Sequence, residues 1–325
     1  MSQPTSDARR LPNFPIAFFA MVMGLSGLTI AMDKAQHVFA IDLAFDLNLW
    51  MAGATASVFS LLLLIYLAKL AVYPRAVLEE LRHPVKLNFF AAVSVSLLLL
   101  SIAFLPIAES ISRPLWMTGA SLHLLFTLYV ISVWIHHEHF EVHHMNPAWF
   151  IPAVGNALVP VAGVPLGFVD VSWFFFSIGI LLWGVLMTII FYRLLFHAPI
   201  PERFMPTLFI LVAPPAVGFI AYIKLVGQLD PAAMVLYFSA LFLTLLLFAQ
   251  ARYFVRLRFF LSWWAYTFPL AAISIASMLM FEQGHGDPYR WIGAGLLAIL
   301  TLVVFFLLLR TLYAVFRHRI CVPGH

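Results

Sequence analysis

Ten apolar stretches contain none of the chain's 18 Lys and Arg or 14 Asp and Glu residues: 15–32, 49–68, 87–107, 115–135, 149–169, 173–192, 205–223, 232–251, 261–281 and 291–309. Each is close to the roughly 20 residues that cross a hydrocarbon layer about 30 Å thick. Backbone polar groups in that layer must be satisfied within the chain, so such stretches become helices. Only 10% of the 325 residues are charged and 63% are hydrophobic, whereas a soluble domain carries about 25% charge. The expected class is an all-α polytopic membrane protein, one transmembrane domain over 1–325 with short tails at 1–14 and 310–325. A single cysteine, Cys321, excludes an internal disulfide framework. Arg9 and Arg10 precede the first apolar stretch with no small-residue cleavage site before Asp33, which reads as an uncleaved first span.

The basic residues set an expected orientation. With the N-terminus inside, 14 of the 18 Lys and Arg fall on the cytoplasmic side, and only Lys34, Arg113, Lys224 and Arg290 fall on the other. Lys and Arg collect in short cytoplasmic loops. The asymmetry predicts an even number of spans and both termini in the cytoplasm. It also explains the pI near 9.3 as a topology signal, with no nucleic-acid partner implied.

Proline divides the spans into two kinds. It lies inside or beside the odd ones: Pro15; Pro84 and Pro106; Pro152, Pro160 and Pro165; Pro206, Pro214 and Pro215; Pro269. The even spans have none in their interior. The odd starts recur every 57 to 69 residues, which reads as five helical hairpins in succession. Proline has no N–H and crowds the preceding turn, so bent helices are expected. In lipid a bent helix belongs where protein or a lined cavity takes up the freed carbonyls. The expected architecture is an inner ring of five kinked helices around a central pore, enclosed by five straight ones, with quasi-fivefold symmetry.

The ninth stretch, LSWWAYTFPLAAISIASMLMF (261–281), is aromatic in its first half and small in its second, with Pro269 near the join. Five stretches in order, one per odd span, carry a family resemblance: NFPIAFFAMVMGLSGL (13–28), RHPVKLNFF (82–90), NPAWFIPAVGNALVPVAG (146–163), PTLFILVAPPAVGFIAY (206–222) and WWAYTFPLAA (263–272). The chain resembles the bacterial tellurite-resistance membrane protein and its relatives, the plant slow anion channel and the fungal malic acid transporter. The resemblance implies ten helices in five hairpins around a central pore, assembly as a homotrimer, and residence in a bacterial cytoplasmic (inner) membrane. It implies passage of small anions, with a phenylalanine on the ninth span plugging the pore. The matching residue is Phe268.

Residue chemistry fits that expectation. An uncharged tube favours anions only through donors or positive dipole ends, and a helix broken at proline would offer such an end. The kinks expected near the pore are at Pro15, Pro152, Pro160, Pro214, Pro215 and Pro269. Small residues that would keep the lumen open are Gly24, Gly27, Gly155, Gly163, Gly218, Ala271 and Ala272; close helix packing accounts for the glycines equally well. Membrane-embedded Asp or Glu, the usual coupling site of ion-driven transporters, is absent from all ten stretches. This favours passive conduction over the alternative, an exporter or carrier of a small oxyanion or dicarboxylate such as tellurite, sulfite or malate. No cofactor is expected and no enzyme activity. The run HHEHFEVHH (136–144) offers His139 and His143 at a spacing that suits a metal, but the remaining histidines are scattered, too few together for a di-iron site.

Overall fold

The structure is a computed structural model that describes residues 10–43, 45–136, 141–317 and 320–321. Among these residues the regular elements are all helical. In chain order the apolar elements are α1 (Ile16–Phe39), α2 (Leu47–Val72), α3 (Lys86–Phe104), α4 (Glu109–His136), α5 (Pro147–Gly163), α6 (Val169–Phe196), α7 (Glu202–Val226), α8 (Pro231–Ala249), α9 (Leu261–His285) and α10 (Asp287–Phe316). Nine are long and apolar enough to cross a membrane; α5 is shorter. The sequence reads α5 as one span over 149–169. It is instead a succession of short 3-10 and α pieces, Pro147–Trp149, Phe150–Val154, Gly155–Leu158 and Val159–Gly163. Three prolines and two glycines in 17 residues explain the interruptions.

The odd and even elements differ in backbone as well as in sequence. α2, α4, α6, α8 and α10 are continuous α-helices of 19 to 30 residues. Aspartates cap two of them: Asp46 accepts from the Leu49 N–H and Asp230 from the Ala233 N–H, each at 2.9 Å. Every odd element begins in 3-10 form and then widens to α, the changes falling at Phe19, Ala91, Phe150, Ala213 and Thr267. Five of the prolines sit in the first α turn after a change: Pro152 third in its piece, Pro160 second, Pro214 and Pro215 second and third, Pro269 third. There a missing N–H costs little. The break expected at Pro269 is therefore a change of pitch: the residue preceding the α segment, Tyr266, keeps right-handed helical angles (φ −69°, ψ −33°).

Burial separates the two kinds. In the odd elements α1, α3, α7 and α9, 61–89% of the apolar core is buried, against 28–39% in the even elements. α5 is buried along nearly its whole length. The odd elements touch in cyclic order: α1 meets α3, α3 meets α5, α5 meets α7, α7 meets α9, and α9 returns to α1. Each even helix lies across two consecutive odd ones, α2 on α1 and α3, through to α10 on α9 and α1. The even helices show large apolar side chains outward, among them Leu64, Leu125, Leu181, Phe242 and Leu302, as lipid contact requires. One element was not expected from the sequence, the amphipathic helix Pro74–Arg82 between α2 and α3. It is tied down by Glu80, which accepts from Lys69 Nζ at 2.6 Å and Tyr66 OH at 2.9 Å. Lys69 Nζ also donates to the Phe14 carbonyl at 2.8 Å, fastening the start of α1 to the end of α2.

Candidate functional site

The five odd elements enclose an apolar cavity of about 60 Å³. Each contributes to its wall: Ala20 and Met23 from α1, Phe89 and Val95 from α3, Phe150, Val154 and Gly155 from α5, Ile210, Pro214 and Val217 from α7, Trp264, Phe268 and Pro269 from α9. The cavity lies at the level where the odd elements change from 3-10 to α, because the lining residues bracket those changes. A space this size holds only a few waters, each needing roughly 10–15 Å³ of such volume, and an apolar wall gives them no partners. A narrow apolar space of this kind is unfavourable to a hydrated ion.

Phe268, Pro214, Pro269 and Gly155 therefore meet around one space. The other small residues named from the sequence lie where helices press together. A Cβ on Gly24 would collide with the side chain of Thr267, and one on Gly27 would come 2.8 Å from Ala271 Cβ and 3.6 Å from the Phe268 ring. Gly163 abuts Ser172 and Trp116, and Gly218 abuts Ile180. Ala271 and Ala272 are buried. Pro15 stands just before the 3-10 start of α1, and Pro152 and Pro160 lie in α5. Reasoning from the sequence passed over Phe89, Phe150 and Trp264 as wall residues. Their signal was an aromatic residue shortly after the start of three odd elements. Trp264 is fully buried and donates from Nε1 to Thr311 Oγ1 at 3.0 Å, which anchors α9 to α10.

The constriction opens on one side into a larger mouth of about 480 Å³. Ala20, Phe89 and Ala265 line both spaces. Four cations, Lys86, Arg203, Arg258 and Arg310, line the mouth together with His83 and Glu80. Glu80 is already paired with Lys69. Among the described residues none of the four cations has a carboxylate oxygen within 4.0 Å. Arg203 and Arg310 stack on aromatic faces instead, 4.7 Å from the Phe204 ring centre and 5.6 Å from that of Phe259. The N-terminal ends of α1, α3, α7 and α9 also reach this mouth, at Ile16, Lys86, Arg203 and Leu261. Because the backbone stays helical through the change of pitch, the positive ends of these dipoles fall here and not at the prolines. His83 Nδ1 accepts the backbone N–H groups of Val85 and Lys86 at 3.1 and 3.3 Å. Burial, and then the nearby charges of Lys86, His144 and Arg203, hold its imidazole below the ordinary histidine range.

Among the described residues, the remaining histidines line neither the cavity nor the mouth. His123 on α4 is fully buried behind Gly155. Ser94 Oγ gives its proton to the Ala91 carbonyl at 2.8 Å, so it accepts from His123 Nδ1 at 2.9 Å. His139 lies outside the described residues. His143 sits 3.0 Å from Glu141 and is exposed. Among the described residues no three His, Cys, Asp or Glu side chains are placed to hold a metal.

These features define a polytopic helical membrane protein with a narrow apolar constriction behind a positively charged mouth. The chain belongs to the voltage-dependent anion channel family, which matches residues 13–312. It is 29% identical to the S-type anion channel SLAH3 of Arabidopsis thaliana, over 97% of this chain and 50% of that protein. It is 26% identical to an uncharacterized transporter of Methanocaldococcus jannaschii, over 94% of this chain and 96% of that one. It is also 26% identical to a tellurite resistance protein TehA homolog of Haemophilus influenzae, over 92% of this chain and 90% of that protein. The chain thus spans about half the length of the plant channel and nearly all of the two prokaryotic relatives.

Proposed function

We propose that this protein is a channel for small monovalent anions of the chloride and nitrate kind, with its central pore occluded by Phe268. The observation that carries the reading is that Phe268 lines a space to which all five odd elements contribute, directly inward of the basic mouth. In this reading the ten elements form five hairpins with quasi-fivefold symmetry in a single transmembrane domain, and the cyclic contacts among odd elements support it. The mouth faces the cytoplasm together with both termini, in agreement with the excess of Lys and Arg on that side. Three such chains form a homotrimer in the cytoplasmic membrane. Anions collect at the mouth by charge and by helix dipoles. The Phe268 ring keeps the constriction dry until it moves away. The odd-element prolines and the small residues facing α9, Gly24 and Gly27 among them, set how closely the helices surround that ring.

The test is conduction by purified protein in a planar bilayer. Phe268→Ala is expected to raise chloride or nitrate current by at least about tenfold over the unmodified protein, equivalent to about 1.4 kcal/mol off the barrier. Absence of anion current from both proteins would overturn the channel. The second reading, a carrier of a small oxyanion or dicarboxylate, is favoured by the tellurite-resistance name of the Haemophilus relative. It predicts saturable, proton-dependent flux without unitary currents.

A further inference from the structure

The mouth carries more positive charge than a monovalent anion in transit requires. Lys86 begins α3, Arg203 is the second residue of α7, Arg258 lies in the segment before α9, and Arg310 is on α10, so four separate parts of the chain bring cations to one space. Among the described residues that line it the one carboxylate, Glu80, is spent on Lys69 and Tyr66. The volume of about 480 Å³ falls within the roughly 300–1,000 Å³ of small-molecule sites. Attraction scales with the charge of the guest. At the same position a guest with three or four negative charges is held several times more strongly than chloride. Such a guest is also too large and too hydrated for the 60 Å³ apolar constriction further in.

We infer that the mouth is a binding site for a polyvalent phosphate anion, which sits among Lys86, Arg203, Arg258 and Arg310 and closes the passage from that side. Phosphate oxygens match these donors: guanidinium groups engage them in pairs, and the lysine acts as a point charge. The aromatic wall formed by Phe259, Phe260 and Tyr313 would accept the base of a nucleoside triphosphate, so either an inorganic chain or a nucleotide can supply the phosphates. His83 also lines this mouth; burial lowers its proton affinity first, and the charges of Lys86, His144 and Arg203 add to that. Binding at this site stands independently of conduction; the closing of the passage rests on the channel reading above.

The experiment is calorimetric titration of the purified full chain with sodium tripolyphosphate, and separately with ATP. One saturable site per chain is expected. Its affinity should fall about tenfold or more between about 0.1 M and about 1 M salt, as the screening length drops from about 10 Å to about 3 Å. Lys86→Gln and Arg203→Gln should each weaken binding about tenfold, the effect of losing one charge-assisted contact. Arg113→Gln, remote from the mouth, should leave binding unchanged, and an unaltered unfolding midpoint confirms that each variant folds. Tighter binding of ATP than of tripolyphosphate would assign the aromatic wall to the base; equal binding would assign the affinity to the phosphates. No saturable binding to the unmodified protein would overturn the inference, as would binding that survives intact in the Lys86→Gln, Arg203→Gln double variant. A protein that conducts anions but binds no tripolyphosphate refutes this site alone; one that binds and never conducts refutes the channel alone.

Discussion

At the scale of single residues, the buried pair that joins the end of α2 to the helix Pro74–Arg82 has the clearest energetic consequence. Lys69 and Glu80 are almost wholly removed from solvent, and Lys69 Nζ is shared between Glu80 and the Phe14 carbonyl. Removing one partner leaves the other charge buried without compensation, which costs about 3–5 kcal/mol. Lys69→Ala is therefore expected to lower thermal stability sharply, read as the unfolding midpoint in detergent. Lys69→Met with Glu80→Leu should recover most of the loss, because both desolvated charges leave together. A double variant as unstable as the single one would contradict this account. Nothing in the sequence pointed to the pair. Lys69 was legible only as a basic residue flanking a span, since its partner is 11 residues away on a helix that the hydropathy pattern does not mark.

At the scale of elements, the alternation of proline-bearing, interrupted elements with continuous helices was legible because proline acts locally: it removes an N–H and crowds one turn wherever it stands. The form of the bend was not legible. Whether a turn closes with three or four residues per hydrogen bond depends on neighbouring helices, and α5 shows how strongly. Its pieces fit against α4 only because Gly155 has no side chain; a Cβ there would lie 2.6 Å from His123 Nε2 and 2.8 Å from Val95 Cγ2. Overpacking of this kind costs about 1–3 kcal/mol. Gly155→Ala is expected to destabilise the protein by that amount in thermal unfolding, and His123→Ala in the same chain should relieve most of it. Equal destabilisation with and without His123 would show that the two do not press on each other.

At the scale of the whole molecule, the field of the mouth sets a pH dependence. Burial, and then the charges of Lys86 on its own segment, His144 beside α5 and Arg203 on α7, hold the native proton affinity of His83 below the ordinary histidine value of 6.5. The sign follows from which state binds the proton first. As pH falls below 6.5 the unfolded chain protonates before the folded one, so this group's contribution to stability declines across that window and down to the native value. Once protonated in the folded protein, His83 adds a fifth positive charge to the mouth. Anion current through Phe268→Ala should therefore rise as the mouth side is acidified below the ordinary histidine range, and Phe268→Ala with His83→Gln should show a flatter profile. An unchanged profile in the His83→Gln background would remove His83 from the explanation.

Hydropathy and proline placement determined, without any structure, the membrane class and the two kinds of helix. These are consequences of solvent and backbone chemistry that act residue by residue. Only the tertiary structure decided which side chains share a space. Phe89, Phe150, Trp264 and Phe268 come from three elements up to 179 positions apart in number, and they converge because the odd elements touch in a closed order. The same holds for the mouth. Lys86, Arg203, Arg258 and Arg310 look like scattered loop charges in the sequence, and become one electrostatic feature once the starts of α1, α3, α7 and α9 are brought together. Charges interact through distance in space, and the order of residues along a chain does not supply that distance.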